Sequence, residues 1–174
     1  MKLVRWKRFT WQTEKLPPLD QKLPAYFITR AAVREEARAV AHVVLTAFSL
    51  DSTWSDTLNQ FRDRLEMQLD LAFQRETVPA LVITHGPRII ATSVLSTDSE
   101  ADSNLISGPC VLSEYCNRGL GTALVHASLK QLAEAGLVQV VGITKENTTS
   151  CKFLYRKFGS ESAPCDYAPA LATT

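Results

Sequence analysis

Histidine is scarce in this chain (3 of 174 residues), glycine hardly less so (7), and neither sign of charge dominates, with 19 lysines and arginines against 18 aspartates and glutamates. A net charge of +1 gives no broad basic face, which argues against a dedicated nucleic-acid binder. No apolar run approaches the roughly 20 residues that span a bilayer, so no membrane partner is expected. The opening Met-Lys-Leu-Val-Arg-Trp-Lys-Arg carries charge with no apolar segment behind it, unlike an export signal. A cytoplasmic location is therefore expected. Cys110, Cys116, Cys151 and Cys165 include no Cys-x-x-Cys pair, so no zinc or other metal site is expected. In the cytoplasm such cysteines stay as thiols. Internal repeats and low-complexity segments are also missing.

What is present suits one domain. A length of 174 residues with 45% hydrophobic and 21% charged residues can bury a sizeable core. Residues 1–24 read as a basic, aromatic arm (Trp6, Phe9, Trp11) and a linker rich in proline (Pro17, Pro18, Pro24). The arm is taken to pack on the domain with its cations in water, rather than to bind nucleic acid. The domain proper is placed at 25–174. A strand is predicted at 25–29. Ala37, Val40, Ala41, Val44, Leu45 and Phe48 then form one apolar helical face over 32–48. A second helix is predicted over 56–74, with Ser52 or Ser55 as N-cap and Leu58, Phe61, Leu65 and Leu69 turned inward. Runs at 79–84 and 88–95 around Gly86-Pro87 predict a hairpin. After an acidic loop (Asp98, Glu100, Asp102) come a strand at 104–112, a helix ending before Gly136, a strand at 137–144 and a helix at 148–158. The order β-α-α-β-β-β-α-β-α, with a short C-terminal strand, predicts a mixed α/β sheet flanked by helices.

Residues 111–122, Val-Leu-Ser-Glu-Tyr-Cys-Asn-Arg-Gly-Leu-Gly-Thr, read as a strand turning through glycines into a helix. Gly119 and Gly121 let the backbone turn sharply and an anion come close. The N–H groups and the positive end of the helix then converge on one point, where phosphate binds. Two phosphate motifs are excluded. Gly121 is followed by Thr122 with no lysine, against the nucleotide-triphosphate loop. Leu124 stands where a dinucleotide fingerprint needs its third glycine, and no acid lies near Val141.

The stretch from Val111 to Gly121 resembles the acetyl-CoA loop of the GNAT superfamily of N-acetyltransferases, with Val111, Gly119 and Gly121 at the family's spacing. Asn147, Leu154-Tyr155 and Phe158-Gly159 resemble its later signature, and the similarity covers about residues 25–160. Cys116 departs from the family's Arg or Gln, and Asn117 from its usual Gly. Asn tolerates positive φ, and Arg118 is a replacement source of charge. The family usually spends more chain on two final strands. The last strand is therefore expected to be short, missing, or replaced by the N-terminal stretch.

The resemblance implies transfer of an acetyl group from acetyl-CoA to a primary amine. The loop (Val111, Cys116, Asn117, Arg118, Gly119, Leu120, Gly121, Thr122) and Asn147 would bind the donor. Tyr155 would protonate the departing thiolate, since a phenol with a reference pKa of about 10 is an acid at neutral pH. The general base stays open among Glu114, Asp51, Asp56 and a water chain, with His42, His85 and His126 read as surface or helix residues. Trp54 is a candidate wall for the acceptor. At a helix N-terminus, Cys116 would carry a lowered pKa and react readily, for instance with CoA. The alternative reading is a catalytically inactive acyl-CoA-binding regulatory module. The acceptor, a small molecule or a peptide amine, and the oligomeric state, a homodimer included, are left open.

Overall fold

Valine, isoleucine and alanine crowd both sides of Gly86-Pro87, and residues of that kind suit a sheet buried on both faces. The structure, a computed structural model, describes residues 4–55 and 57–166. In it those runs are β3 (Ala80–His85) and β4 (Arg88–Leu95), closed by Gly86 at φ +59. β2 (Phe27–Ala31) and β5 (Leu105–Val111) flank them in an antiparallel sheet ordered β2-β3-β4-β5. Every residue of β3 except His85 is buried, because helices cover the sheet. These are α1 (Ala37–Leu50), α2 (Leu58–Phe73) and α3 (Leu120–Glu134). Val40, Val43, Val44 and Phe48 form the inner face of α1, and Leu58, Leu65, Leu69 and Phe73 that of α2.

A second sheet holds β6 (Gln139–Lys145), β1 (Trp6–Gln12) and β7 (Glu161–Cys165) in the order β6-β1-β7. β1 runs antiparallel to both neighbours. The basic, aromatic stretch is thus a central strand, and the short β7 sits outside it at the edge of the sheet. Phe9 and Trp11 are fully buried with Val125, Leu129, Leu132 and Val140 in a core of their own, so no boundary at residue 24 parts β1 from the rest. Each large aromatic buried in this way contributes on the order of 3 kcal/mol.

Three further elements differ from expectation. The helix predicted at 148–158 is a single π-helical turn, Ser150–Leu154. It stops because the chain turns back at Phe158, whose φ is +63. Neither Ser52 nor Ser55 caps α2. Ser55 donates to the Ser52 carbonyl, and the Trp54 carbonyl accepts the first N–H groups of α2 instead. Asp56 lies outside the described residues. α1 begins later than predicted, after a 3-10 turn at Arg34–Glu36. There Glu36 accepts the Val33 N–H and holds Arg30 of β2 in a two-pronged pair at 2.8 and 2.7 Å. α3 stops as expected, with Gly136 at φ +99.

Between β5 and β6 the ladder fails. Among the described residues, only those just before β5 bridge the sheets there by hydrogen bonds. The Asn104 N–H donates to the Val141 carbonyl at 2.7 Å, Asn104 Oδ1 accepts the Val141 N–H at 3.0 Å, and Ser103 Oγ accepts the Ile143 N–H at 3.3 Å. Beyond that bridge the sheets part, and a cavity opens along β5.

Candidate active site

The cavity has a volume of about 940 Å³ and is walled by β5, the loop into α3, the π turn, and parts of α1, α2 and β6. One wall is the glycine loop. Asn117 (φ 62) and Gly119 (φ +81) adopt left-handed backbone, which sets successive N–H groups on one side. Tyr115 and Cys116 donate back into the preceding turn, and the first helical bond of α3 is Ala123 N–H to the Gly119 carbonyl. The N–H groups of Asn117 through Thr122 meet no acceptor among the described residues. An uncapped helix start of this kind, at the positive end of its dipole, can receive an anion. A Cβ on Gly119 would come 3.0 Å from Gln21 Oε1, and one on Gly121 3.0 Å from Leu154 Cδ1. Glycine at both positions lets the loop pack closely on the linker and the π turn.

Most of the predicted donor-binding residues meet here: Val111, Cys116, Asn117, Gly119, Leu120, Gly121 and Thr122 all line the cavity. Arg118 does not. Its guanidinium lies 5.2 Å from the Tyr115 ring centre and donates to the Glu114 carbonyl. Asn147 does not either. It is exposed in the turn after β6, while its neighbours Thr148 and Thr149 line the cavity. The cation beside the loop is Lys157, which lines the cavity and places Nζ 3.2 Å from Thr122 Oγ1 on the first turn of α3. Its backbone is tied to β1, because Trp11 Nε1–H donates to the Lys157 carbonyl at 2.9 Å.

Midway along β5 the strand bulges. Val94 pairs with Gly108 but Leu95 with Leu105, and Ser107 Oγ accepts the Val94 N–H that a carbonyl would otherwise take. Gly108 has φ +64, and a Cβ there would overlap the Tyr155 hydroxyl. Tyr155 is 2% exposed and wedged edge-on against Phe9 and Trp11 at 5.6 and 5.5 Å. Its hydroxyl has no hydrogen-bond partner among the described residues, and the residue lines the cavity. Burial, with Cys110 nearby, holds the phenol well above its ordinary pKa, so it keeps its proton throughout the physiological range.

The expected reactivity of Cys116 is overturned. It ends a 3-10 turn, and α3 starts only at Leu120. Its thiol donates towards the Val111 and Leu112 carbonyls. Burial, then Asp51 and Glu114, push its pKa up rather than down, so the thiolate is disfavoured. All four cysteines are free.

Of the open base candidates, Asp51 lines the cavity, although one of its oxygens accepts from Thr53. Glu114 is exposed beside Arg88. No histidine lines the cavity: His85 bonds Tyr115, His126 bonds the Pro17 carbonyl, and His42 is on α1. Trp54 is part of the wall, with Trp6, Phe48 and Phe61. Sequence reasoning missed Gly108, Lys157 and the place of the acidic loop on the rim. A glycine inside a strand pattern is itself a sign of a bulge, so Gly108 could have been found.

Among the described residues no group of His, Cys, Asp or Glu is placed to hold a metal ion, and no helix is long and apolar enough to cross a membrane. The model of the Acetyltransferase (GNAT) family matches residues 47–159. No curated protein matches the sequence. Solved structures with the same fold include a GCN5-related N-acetyltransferase from Sphaerobacter thermophilus, at 19% identity and TM-score 0.64, covering 94% of this chain and 50% of that one. A GNAT-family acetyltransferase from Colwellia psychrerythraea matches at 16% identity and TM-score 0.61, with 93% and 54% covered. A GCN5-related N-acetyltransferase from Kribbella flavida matches at 17% identity and TM-score 0.57, with 93% and 58% covered. The chain spans between half and three-fifths of the length of these structures.

Proposed function

The chain belongs to the Acetyltransferase (GNAT) family, and from that premise we propose that it moves an acetyl group from acetyl-CoA to a primary amine, with Tyr155 as general acid. The observation that carries this reading is the Tyr155 hydroxyl. Tyr155 is 2% exposed and burial keeps its phenol protonated, while its hydroxyl has no partner among the described residues and the residue lines the same cavity as the unpaired N–H groups of 117–122. Those N–H groups are donors of the kind a pyrophosphate needs, so the residues fit the donor substrate. The loop would hold the pyrophosphate with Lys157 beside it. The part of the cavity along β5 would take the pantetheine arm and bring the thioester to Gly108.

The chemistry is a direct displacement. The neutral amine attacks the thioester carbonyl, a C–N bond forms, and the C–S bond breaks. The thiolate takes the Tyr155 proton, and the acylated nitrogen gives up its extra proton to a carboxylate or water at the acceptor end. Fixing the amine and the thioester in one cavity removes much of the entropic barrier, and a positioned acid adds about 10²-fold or more.

The test is release of free CoA thiol from acetyl-CoA across a panel of amines, with calorimetry for CoA affinity. Tyr155→Phe should cut kcat by about 10²-fold at unchanged CoA affinity. Unchanged turnover would remove Tyr155 from the mechanism. Tight CoA binding with no thiol release from any amine would favour the inactive binding module.

A further inference from the structure

β5 turns one edge to β4 and the other to the cavity. The Ile90 carbonyl accepts the Leu112 N–H at 3.0 Å, and the Ser96 N–H donates to the Asn104 carbonyl at 2.8 Å. The even-numbered residues from Ile90 to Ser96 therefore aim their backbone groups at β5, as the Val94 N–H does towards Ser107 Oγ. In an antiparallel ladder such bonded pairs alternate with unbonded ones. Ser93 faces Pro109 and Ala91 faces Val111, so both of these pairs are of the unbonded kind. The backbone groups of Pro109 and Val111 point the other way, into the gap between β5 and β6.

Proline has no N–H to give. Along this edge Val111 offers an N–H and a carbonyl, and Pro109 a carbonyl alone. Proline inside a sheet is confined to open edges and bulges, and Pro109 has both. Its edge carries no ladder partner among the described residues, and the bulge at Gly108 adjoins it. Pro109 and Val111 both line the cavity. The Tyr155 hydroxyl stands over Gly108, the residue just before Pro109. A donor laid from the glycine loop along β5 therefore passes Val111 first. It reaches Pro109 last, where its thioester comes beside Tyr155.

We propose that Pro109 slows acetyl transfer by withholding the strand N–H that would otherwise face the thioester carbonyl. The inference rests on the acetyl-transfer reading and adds a rate-determining residue to it. As the amine attacks, the carbonyl oxygen gains negative charge, and donors aimed at that oxygen lower the barrier. Pro109 leaves the edge of β5 without such a donor at this level. Any other residue at 109 brings an N–H to the slot.

The test uses Pro109→Ala, Pro109→Val and Pro109→Gly, with melting curves to check folding and calorimetry for CoA affinity. Thiol release gives kcat. Acetyl-CoA isotopically labelled at the thioester carbonyl gives the stretching frequency of the bound group by infrared spectroscopy. Loss of one donor from a site of this kind costs about 10²–10³ in rate, and one gained in a strand not shaped around it should raise kcat by about tenfold. Pro109→Ala and Pro109→Val should both show that rise, and both should shift the carbonyl stretch to lower frequency at unchanged CoA affinity. Thiol release by these variants from an otherwise silent wild type supports the inference equally. A rise with glycine alone traces to backbone freedom and overturns it. So does an unchanged kcat or an unshifted carbonyl in the alanine and valine variants, which leaves Pro109 as a guard of an open edge. Acetyl transfer stands in those cases while the wild type releases thiol. No thiol release by the wild type or any variant sinks both.

Discussion

Replacing Gly108 by alanine sets two costs against each other in a way the geometry separates. The first is backbone strain, since φ is +64 and an L-residue there costs on the order of 1 kcal/mol. The second is overlap of the new Cβ with the Tyr155 hydroxyl. Tyr155 cannot swing aside, because Phe9 and Trp11 hold its ring edge-on. Overpacking of this kind costs about 1–3 kcal/mol, so Gly108→Ala should lose roughly 2–4 kcal/mol in all. Tyr155→Phe removes the oxygen in conflict, and the Cζ atom left behind sits 3.6 Å from the Cβ position, in ordinary contact. That substitution alone should cost almost nothing in stability, because the hydroxyl has no bond to lose. In the Tyr155→Phe background, Gly108→Ala should therefore cost only the strain. Urea unfolding of the wild type, the two single variants and the double variant should give a coupling of about 1–3 kcal/mol. Additive costs would show that the hydroxyl does not stand over Gly108, and the case for Tyr155 as the acid would fall with it.

Lys157→Met should weaken CoA binding about fivefold, near 1 kcal/mol for an exposed charge beside a helix start. Binding of pantetheine, which has no phosphate, should not change; equal CoA affinity by calorimetry would remove Lys157 from the donor site. Alkaline stability should follow the Cys110 thiol, which burial pushes up to about 12 from 9.0. The unfolded chain loses that proton first, so stability is intact below about pH 9 and falls as pH rises towards about 12. The slope approaches roughly 1.4 kcal/mol per pH unit. Between about pH 9 and 10 Cys110→Ala should show a flatter stability profile than the wild type, and parallel profiles would refute the assignment.

Much of the fold was legible because burial leaves periodic marks. The apolar face of α1, the Gly86-Pro87 hairpin and the Gly136 stop all follow from residue types that admit few other conformations. β1 was harder. Phe9 and Trp11 do alternate with Arg8 and Thr10, the period of a strand with one buried face. The surrounding cations mask that alternation, and its partners lie at the far end of the chain. The glycine loop was readable because it makes a demand on the backbone alone. Arg118 and Asn147 were not, since a side chain's direction depends on its neighbours. Tyr115 draws Arg118 away, and Thr148 turns inward to bond the Lys145 carbonyl and meet Thr144 Oγ1. The acidic rim was visible as composition, but only the bridge of Asn104 to Val141 gives it a place.

The position of β1 between β6 and β7 also fixes a sequence of events in the life of the chain. β1 is made before both of its partner strands, and Gly142, which pairs with Phe9, comes roughly 130 residues later. Closing a loop of that length costs about 4 kcal/mol in chain entropy. At about 5–20 residues per second on the ribosome, β1 waits on the order of ten seconds with Phe9 and Trp11 uncovered. The strand that anchors Lys157 through Trp11 is thus among the last to dock. Until it does, Tyr155 lacks both of the rings that hold it, and the wall of the cavity at Gly108 stays unfinished.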